Sequence, residues 1–250
     1  MLIDKFISHR GANSDFIENT IEAFQIAKDN GFNWFETDVQ MSSDGELFLF
    51  HDKTPKRFAN CNKNITEMSW EEIKNIQLID SSLKVEAKIP SFREYLNWVD
   101  KNNVFTNIEI KISKNDKKYQ QKLVAEVFKV LQEYPNLKTR IFISSFSSFV
   151  MKLLKKYKDY HQGMLFYTTN WSRDFNYIDK ILYKKYHHNK YIAIIINYSC
   201  LNSQRVKYLK CKFNKVFVYS VYTDDEIVNL LKWGVDAIFI DKKEQLNISL

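Results

Sequence analysis

Five residues of this 250-residue chain have the types and spacings that metal-assisted acid–base chemistry requires: His9, Glu36, Asp38, His51 and Glu109. Residues two apart in a strand share a face. Glu36-x-Asp38 therefore presents two carboxylates side by side, and Glu109-x-Lys111 sets an acid beside a base. Adjacent carboxylates repel unless a proton or a cation lies between them. A third carboxylate on a neighbouring strand favours the cation, and an all-oxygen donor set suits Mg²⁺ or Ca²⁺ rather than zinc. Imidazoles titrate near neutrality, so His9 and His51 can give or take protons beside such an ion. Each residue alone has an ordinary reading, a hydrogen-bonded strand end or a solvated strand face. Their convergence is what points to a site. His161, His187 and His188 have no such company.

Apolar runs alternate with amphipathic stretches along the chain and supply the elements to carry these groups. The runs predict strands at Leu2–Ser8, Trp34–Val39, Phe105–Lys111, Arg140–Ser144, Gly163–Tyr167, Tyr191–Ile196, Lys215–Val221 and Asp236–Ile240. Helical patterns fall at Thr20–Asn30, Phe92–Lys101, Asp116–Tyr134, Ser147–Tyr157, Phe175–Tyr186, Ser203–Lys210 and Asp224–Trp233. Capping boxes mark three helix starts, at Ser69, Ser91 and Thr223. Several strands are apolar on consecutive residues, as in a parallel sheet covered on both faces. Eight such units predict an α/β fold, a (β/α)8 TIM barrel, with a doubly wound open sheet as the alternative. Five glycines and three prolines leave little linker material, so residues 1–250 read as one domain. Residues 52–90 form a small excursion after strand two, with a short helix from Trp70 to Ile76. In a barrel, C-terminal strand ends line the functional mouth, and His9, Glu36-x-Asp38 and Glu109-x-Lys111 all sit at such ends. Asp44-Gly45 reads as a two-residue hairpin turn, which sets Asp38 opposite His51; a bulge would shift that pairing by one.

Hydrophobic residues at 45% exclude wholesale disorder, and the longest apolar stretch, near Ile192–Ile196, is far too short to span a membrane. The opening residues carry no secretory pattern, and Cys61, Cys200 and Cys211 make an odd set without a CxxC pair. A cytoplasmic setting is the expectation. Lys and Arg exceed Asp and Glu by 37 to 30, a formal charge of +7, which attracts anionic ligands. The clusters Lys152–Lys158 and Lys184–Lys190 read as solvated helix ends, and no nucleic-acid-binding motif appears.

Taken together, Ile7-Ser8-His9-Arg10-Gly11, Glu18-Asn19-Thr20, Ala23-Phe24, Ala27, Gly31, Glu36-Thr37-Asp38-Val39, Asp44-Gly45 and His51-Asp52 closely resemble the opening of the glycerophosphodiester phosphodiesterase family. That family lies within the phosphatidylinositol-phospholipase-C-like phosphodiesterase superfamily. The likeness continues through Ile89-Pro90-Ser91-Phe92, Asn107-Ile108-Glu109-Ile110-Lys111, Ile143-Ser144-Ser145-Phe146 and Gly234-Val235-Asp236-Ala237-Ile238.

The resemblance implies a barrel that hydrolyses a small-molecule glycerophosphodiester to an alcohol and sn-glycerol 3-phosphate, without nucleic-acid partners or stable membrane insertion. It implies that His9 and His51 are the acid/base pair and that Glu36, Asp38 and Glu109 hold a divalent ion, Mg²⁺ or Ca²⁺. Arg10 and Lys111 would contact phosphate. Attack by the glycerol 2-hydroxyl, through a cyclic phosphate that water opens, is also implied. Three positions depart from the family pattern: Ile17 for proline, Tyr222 where a tryptophan is frequent, and Ile240-Asp241-Lys242 for Thr-Asp-x-Pro. The last two fall on the rim facing the alcohol, where Tyr222 would contact substrate; Tyr167 and Trp171 are further rim candidates. Two readings compete: a lysophospholipase D or sphingomyelinase D-like phosphodiesterase, and a non-catalytic phosphate- or nucleic-acid-binding protein. Oligomeric state, headgroup, choice of ion and the division of acid and base between the histidines stay open.

Overall fold

The computed structural model describes residues 3–168 and 192–249. Eight parallel strands close into a barrel in the order β1 (Phe6–His9), β2 (Trp34–Met41), β6 (Phe105–Ile110), β7 (Ile141–Ser145), β8 (His161–Phe166), β9 (Ile192–Asn197), β10 (Val216–Tyr219) and β11 (Ala237–Ile240). The ring is shut by pairing of β1 with both β11 and β2. That closure excludes the open doubly wound sheet. All eight predicted barrel strands are present, displaced at their ends by one to a few residues. The predicted helix Phe175–Tyr186, with Trp171, His187 and His188, lies outside the described residues.

Outside the strands pack α1 (Ile21–Asp29), α3 (Phe92–Asn102), α4 (Lys117–Leu131), α5 (Ser148–Leu154), α6 (Ser203–Lys212) and α7 (Asp224–Trp233), while the short α2 (Trp70–Lys74) belongs to the excursion. Their buried faces form one apolar layer with the strands' outer side chains, including Phe24, Phe35, Val99, Leu123 and Ile227. Each such fully buried side chain contributes roughly 2 kcal/mol. The capping boxes at Ser69, Ser91 and Thr223 are all formed. α4 stops at Leu131, short of the predicted Tyr134. Pro135 disfavours helical backbone in the residue before it, and the chain tightens so that Glu133 N and Tyr134 N bond Val130 O and Leu131 O, three residues back. Among the described residues no helix is long and apolar enough to cross a membrane.

Residues 52–90 contain α2, two 3-10 turns and an antiparallel ribbon, β4 (Gln77–Asp80) with β5 (Val85–Lys88), which periodicity did not reveal. The excursion has its own apolar cluster, in which Phe58, Ile65, Met68 and Ile73 pack with Ile17 and Phe50.

The hairpin register differs from the expected one. β3 (Leu47–Leu49) pairs with β2 as Val39↔Leu49, Gln40↔Phe48 and Met41↔Leu47. Ser42 N donates to Glu46 O at 2.9 Å, so the loop is three residues, Ser43 to Gly45, rather than two. Gly45 takes φ +101°, a conformation open to glycine that such loops require. Phe50 rather than His51 consequently faces Asp38, with Phe50 N bonding Asp38 O at 3.1 Å.

Candidate active site

Inward-facing positions on the barrel strands change character along their length. Ile7, Trp34, Phe142, Leu165, Phe217 and Phe239 fill the interior with apolar groups. Two residues further on, the same faces carry His9, Glu36, Ser144, Tyr219 and Asp241. Glu36 and Asp38 continue the inward series of β2, and Asn107 and Glu109 that of β6. The strands thus have a dry floor and a polar mouth. His9, Arg10, Glu36, His51, Glu109 and Lys111 all line one cleft there.

Glu36, Asp38 and Glu109 each offer an oxygen within 4.8 Å of the others, and all three are buried. Parallel pairing explains the meeting, because Asp38 is the register partner of Glu109. Two cations reach into the group. Lys111 Nζ lies 3.2 Å from both Asp38 Oδ1 and Glu109 Oε1, and Arg10 Nε lies 3.1 Å from Asp38 Oδ2. Burial and the Asp38 charge push Glu36 well above the ordinary carboxylate range. Burial and Asp38 also raise Glu109, against the pull of Lys111. Asp38 goes the other way: burial would raise it, but Lys111, Arg10 and His51 together hold it far below. Asn19 assists, its Nδ2 donating to Asp38 Oδ2 at 3.0 Å while its Oδ1 accepts from Thr37 Oγ1 and Asp38 N.

Among the described residues the buried Glu36 Oε2 and Asp38 Oδ1 have no hydrogen-bond partner, although Lys111 Nζ stands 3.2 Å from the latter. An uncompensated buried carboxylate oxygen is costly. Three convergent acids, two of them with a buried oxygen that no hydrogen bond satisfies, fit a hard divalent ion of the Mg²⁺ or Ca²⁺ type.

Arg10 takes φ +61° and Gly11 φ +86°, so the chain turns sharply after β1. A Cβ on Gly11 would stand 2.7 Å from the Ala23 backbone, which makes glycine obligatory there. The turn is fastened by Arg10 N to Glu36 O at 3.0 Å and Asn19 N to Arg10 O at 2.9 Å. Strained backbone at a residue that reaches a charged cluster is a recurrent feature of functional sites.

Both histidines are oriented by an aspartate. His9 Nδ1 contacts Asp241 Oδ1 at 2.9 Å, leaving Nε2 toward the acids, 4.0 Å from Glu36 Oε2. Asn13 Nδ2 donates to both His9 O and Asp241 Oδ1. Burial and the neighbouring Arg10 charge lower the His9 imidazole, with Asp241 opposing them. His51 Nδ1 contacts Asp52 Oδ1 at 2.7 Å. That hydrogen bond, helped by Arg57 against burial, brings the Asp52 carboxyl down to about 2.

Seven of the eight expected site residues therefore meet: His9, His51, Glu36, Asp38, Glu109, Arg10 and Lys111. Tyr222 does not join them. It is 65% exposed, and Tyr219 lines the cleft instead, with Phe146 and Leu165. Tyr167 is also exposed. His161 opens β8 at the opposite end of the barrel. Asn13 and Arg57 were missed, Asn19 was read only as part of a motif, and Asp241, expected on the rim facing the alcohol, instead meets His9. Asp241 carried a signal, because it extends by two the inward series that ends at Phe239. A larger groove of about 410 Å³, against about 110 Å³ for the cleft, lies by the β2–β3 turn. Its charges are mostly paired among themselves, Arg93 with Glu46 and Lys129 with Glu126, so nothing converges on it.

A family model described as the glycerophosphoryl diester phosphodiesterase family matches residues 9–245. A glycerophosphodiester phosphodiesterase of Caldanaerobacter subterraneus subsp. tengcongensis is 28% identical over 246 residues, covering 96% of this chain and 95% of the relative. One of the same name from Bacillus altitudinis is 28% identical over 240 residues, 95% of this chain and 94% of its own length. Among solved structures, an Oleispira antarctica phosphodiesterase in complex with the product sn-glycerol-3-phosphate superposes with a TM-score of 0.78 at 21% identity. That match covers 98% of this chain and 96% of the other, and it shows the fold. With the family model spanning nearly the whole barrel, the chain belongs to the glycerophosphoryl diester phosphodiesterase family, a family of phosphodiester-hydrolysing enzymes.

Proposed function

We propose that this chain hydrolyses glycerophosphodiesters to an alcohol and sn-glycerol 3-phosphate, in a metal-dependent reaction with His9 and His51 as the acid/base pair. The observation that carries this reading is the meeting of two aspartate-oriented imidazoles with three buried acids in one small cleft. Glu36, Asp38 and Glu109 would hold the divalent ion, which when bound supplies charge neutralisation at the phosphoryl oxygens. Arg10 and Lys111 bind the anionic oxygens of the diester, countering the charge that repels a nucleophile. One imidazole removes the proton of the attacking glycerol 2-hydroxyl while the other delivers a proton to the departing alkoxide, and a water, deprotonated in its turn, then opens the cyclic phosphate to glycerol 3-phosphate. Asp241 and Asp52 fix which ring nitrogen faces the substrate.

Purified chain, first stripped of metal, is incubated with glycerophosphocholine or glycerophosphoethanolamine and Mg²⁺ or Ca²⁺. Appearance of glycerol 3-phosphate supports the proposal. Absence of product with either ion and either substrate overturns the function, and undiminished turnover in excess chelator overturns the metal dependence.

A further inference from the structure

The ion pairs on the His51 side continue beyond Asp52. Arg57 Nε donates to Asp52 Oδ2 at 2.8 Å, and its two terminal nitrogens grip Glu18, Nη1 on Oε2 at 2.8 Å and Nη2 on Oε1 at 2.6 Å. Glu18 Oε1 in turn accepts from Arg10 Nη1 at 3.0 Å. An unbroken series thus runs His51, Asp52, Arg57, Glu18, Arg10. It links an imidazole at the cleft to the guanidinium on its other side by way of a residue outside it. Arg57 lies in a 3-10 turn of the excursion (Pro55–Arg57), and its guanidinium rests over the Phe58 ring, 4.5 Å from the centroid. Phe58 packs into the excursion's apolar cluster against Ile17 and Phe50, the residues just before Glu18 and His51. Polar and apolar contacts of the excursion therefore grip the same two segments.

We infer that Arg57 is a positioning residue for the hydrolysis, holding Asp52 and Glu18 so that His51 and Arg10 present their working nitrogens to one phosphate. The inference rests on the reading of His51 and Arg10 given above. Partly exposed ion pairs usually contribute little to stability, and Arg57 is 44% exposed on its side chain. Its value lies in orientation instead. Only a guanidinium can engage two carboxylates at fixed angles through three N–H groups; an ammonium is a point charge. Arg93 provides a matched reference, since it also bridges two acids, Glu46 and Glu133, at 39% exposure, and none of the three is among the described residues that line the cleft.

The test compares Arg57→Gln, Arg57→Lys and Arg93→Gln in full-length protein. Readouts are kcat, KM, the pH profile, Tm and the exchange of the His51 Nδ1 proton followed by NMR. Arg57→Gln is expected to lower kcat/KM about ten- to a hundredfold, the range for residues that orient first-contact groups, chiefly through kcat, and to shift one limb of the pH profile. The His51 Nδ1 resonance should be lost to faster exchange, while Tm stays with that of Arg93→Gln. Arg57→Lys should recover only part of the rate. Combined with Asp52→Asn, Arg57→Gln should lose the part of its effect that runs through His51 and keep only the part that runs through Glu18 and Arg10, so the combined loss falls short of the product of the two. Unchanged kinetics and pH profile in both Arg57 variants, full recovery by lysine, or effects that simply multiply with Asp52→Asn would each overturn the inference. Should Arg57→Gln not fold, Arg57→Lys decides by the same criteria. The NMR readout needs no turnover, so an inactive wild-type chain would refute the hydrolase reading while the orientation of His51 by Arg57 is still measured.

Discussion

The two histidines of the cleft are held alike and built differently. His9 belongs to the barrel: it ends β1, its aspartate follows β11, and the two strands pair in parallel with Ser8 opposite Ile240. Sheet register alone brings together residues 232 apart in the chain. His51 lies past the hairpin, its aspartate is the next residue, and that aspartate is held by Arg57 of the excursion. The His9 side chain is 14% exposed and that of His51 30%. One imidazole inherits the rigidity of eight strands, whereas the other depends on a small added core. Disturbance of residues 52–90 should therefore reach His51 and spare His9.

The sharpest way to break this comparison is to remove each imidazole. His9→Asn and His51→Asn should each lower kcat by about 10²- to 10⁴-fold, measured as glycerol 3-phosphate release with folding followed by circular dichroism. Losses of similar size mean two supports serving equal chemical roles; near-normal turnover in either variant would take that histidine out of the reaction. Next in size is the effect of the ion, whose expected ligands Glu36, Asp38 and Glu109 belong to neither support. At a concentration a hundred times its Kd, Mg²⁺ or Ca²⁺ should stabilise the protein by about 2.7 kcal/mol, a Tm rise of several degrees for a chain of this length. Glu36→Gln should abolish that rise without destabilising the ion-free protein. The Glu36 carboxyl, raised by burial and Asp38, gains nothing from ionising in the ion-free cluster, so a neutral amide costs little there. A Tm rise that persists undiminished in Glu36→Gln would place the ion elsewhere.

What the sequence discloses divides along the same line. The barrel strands and the acids they carry were legible because parallel strands announce themselves as apolar runs and because residues two apart share a face. Asp44-Gly45 signalled a turn, but nothing in those two residues tells a two-residue loop from the three-residue loop that Gly45 permits. The one-residue shift moved Phe50 opposite Asp38, and His51 still reaches the cleft by following it. Asp241 was visible in its motif but its pairing with His9 was hidden by distance, since the two sit 232 residues apart. Arg57 and the β4–β5 ribbon were illegible because the excursion is short and irregular, with no period to read. Tyr222 was expected at the rim by position in a motif, and a loop residue's direction is not set by the strand before it.

Replacing the two aspartates probes the supports themselves. Asp241→Asn and Asp52→Asn should each lower kcat/KM by about ten- to a hundredfold, but their effects on stability should part. Asp241 accepts from His9, whose side chain is only 14% exposed, and from Asn13, so its substitution should cost about 1–3 kcal/mol in urea unfolding. Asp52 is about as exposed as Asp241, but its partners His51 and Arg57 are more open, at 30% and 44%, and its substitution should cost less than about 1 kcal/mol. Equal stability losses would mean that the excursion holds its histidine as firmly as the sheet does.

The smallest effect is expected at the other end of the same strand. Asp236 precedes β11 at the floor of the barrel, where its carboxylate accepts from Val216 N at 2.9 Å and pairs with Lys210 at 2.7 Å and Lys215 at 3.1 Å. Burial would raise this acid, but Lys210, the Val216 N–H and Lys215 hold it below its ordinary value. A depressed carboxylate contributes stability that is fully present above the unfolded-state value of about 3.9 and fades as pH falls through the folded-state value. Both lysines are substantially exposed, so the backbone bond carries most of the effect. Asp236→Asn should therefore cost about 1 kcal/mol at pH 7, and its gap to wild type should close as the pH is taken below about 4. Turnover at 25 °C should not change, because no imidazole depends on this acid. A rate loss in Asp236→Asn would mean that the floor of β11 also sets the position of Asp241, and the separation between fold and site along this strand would fail.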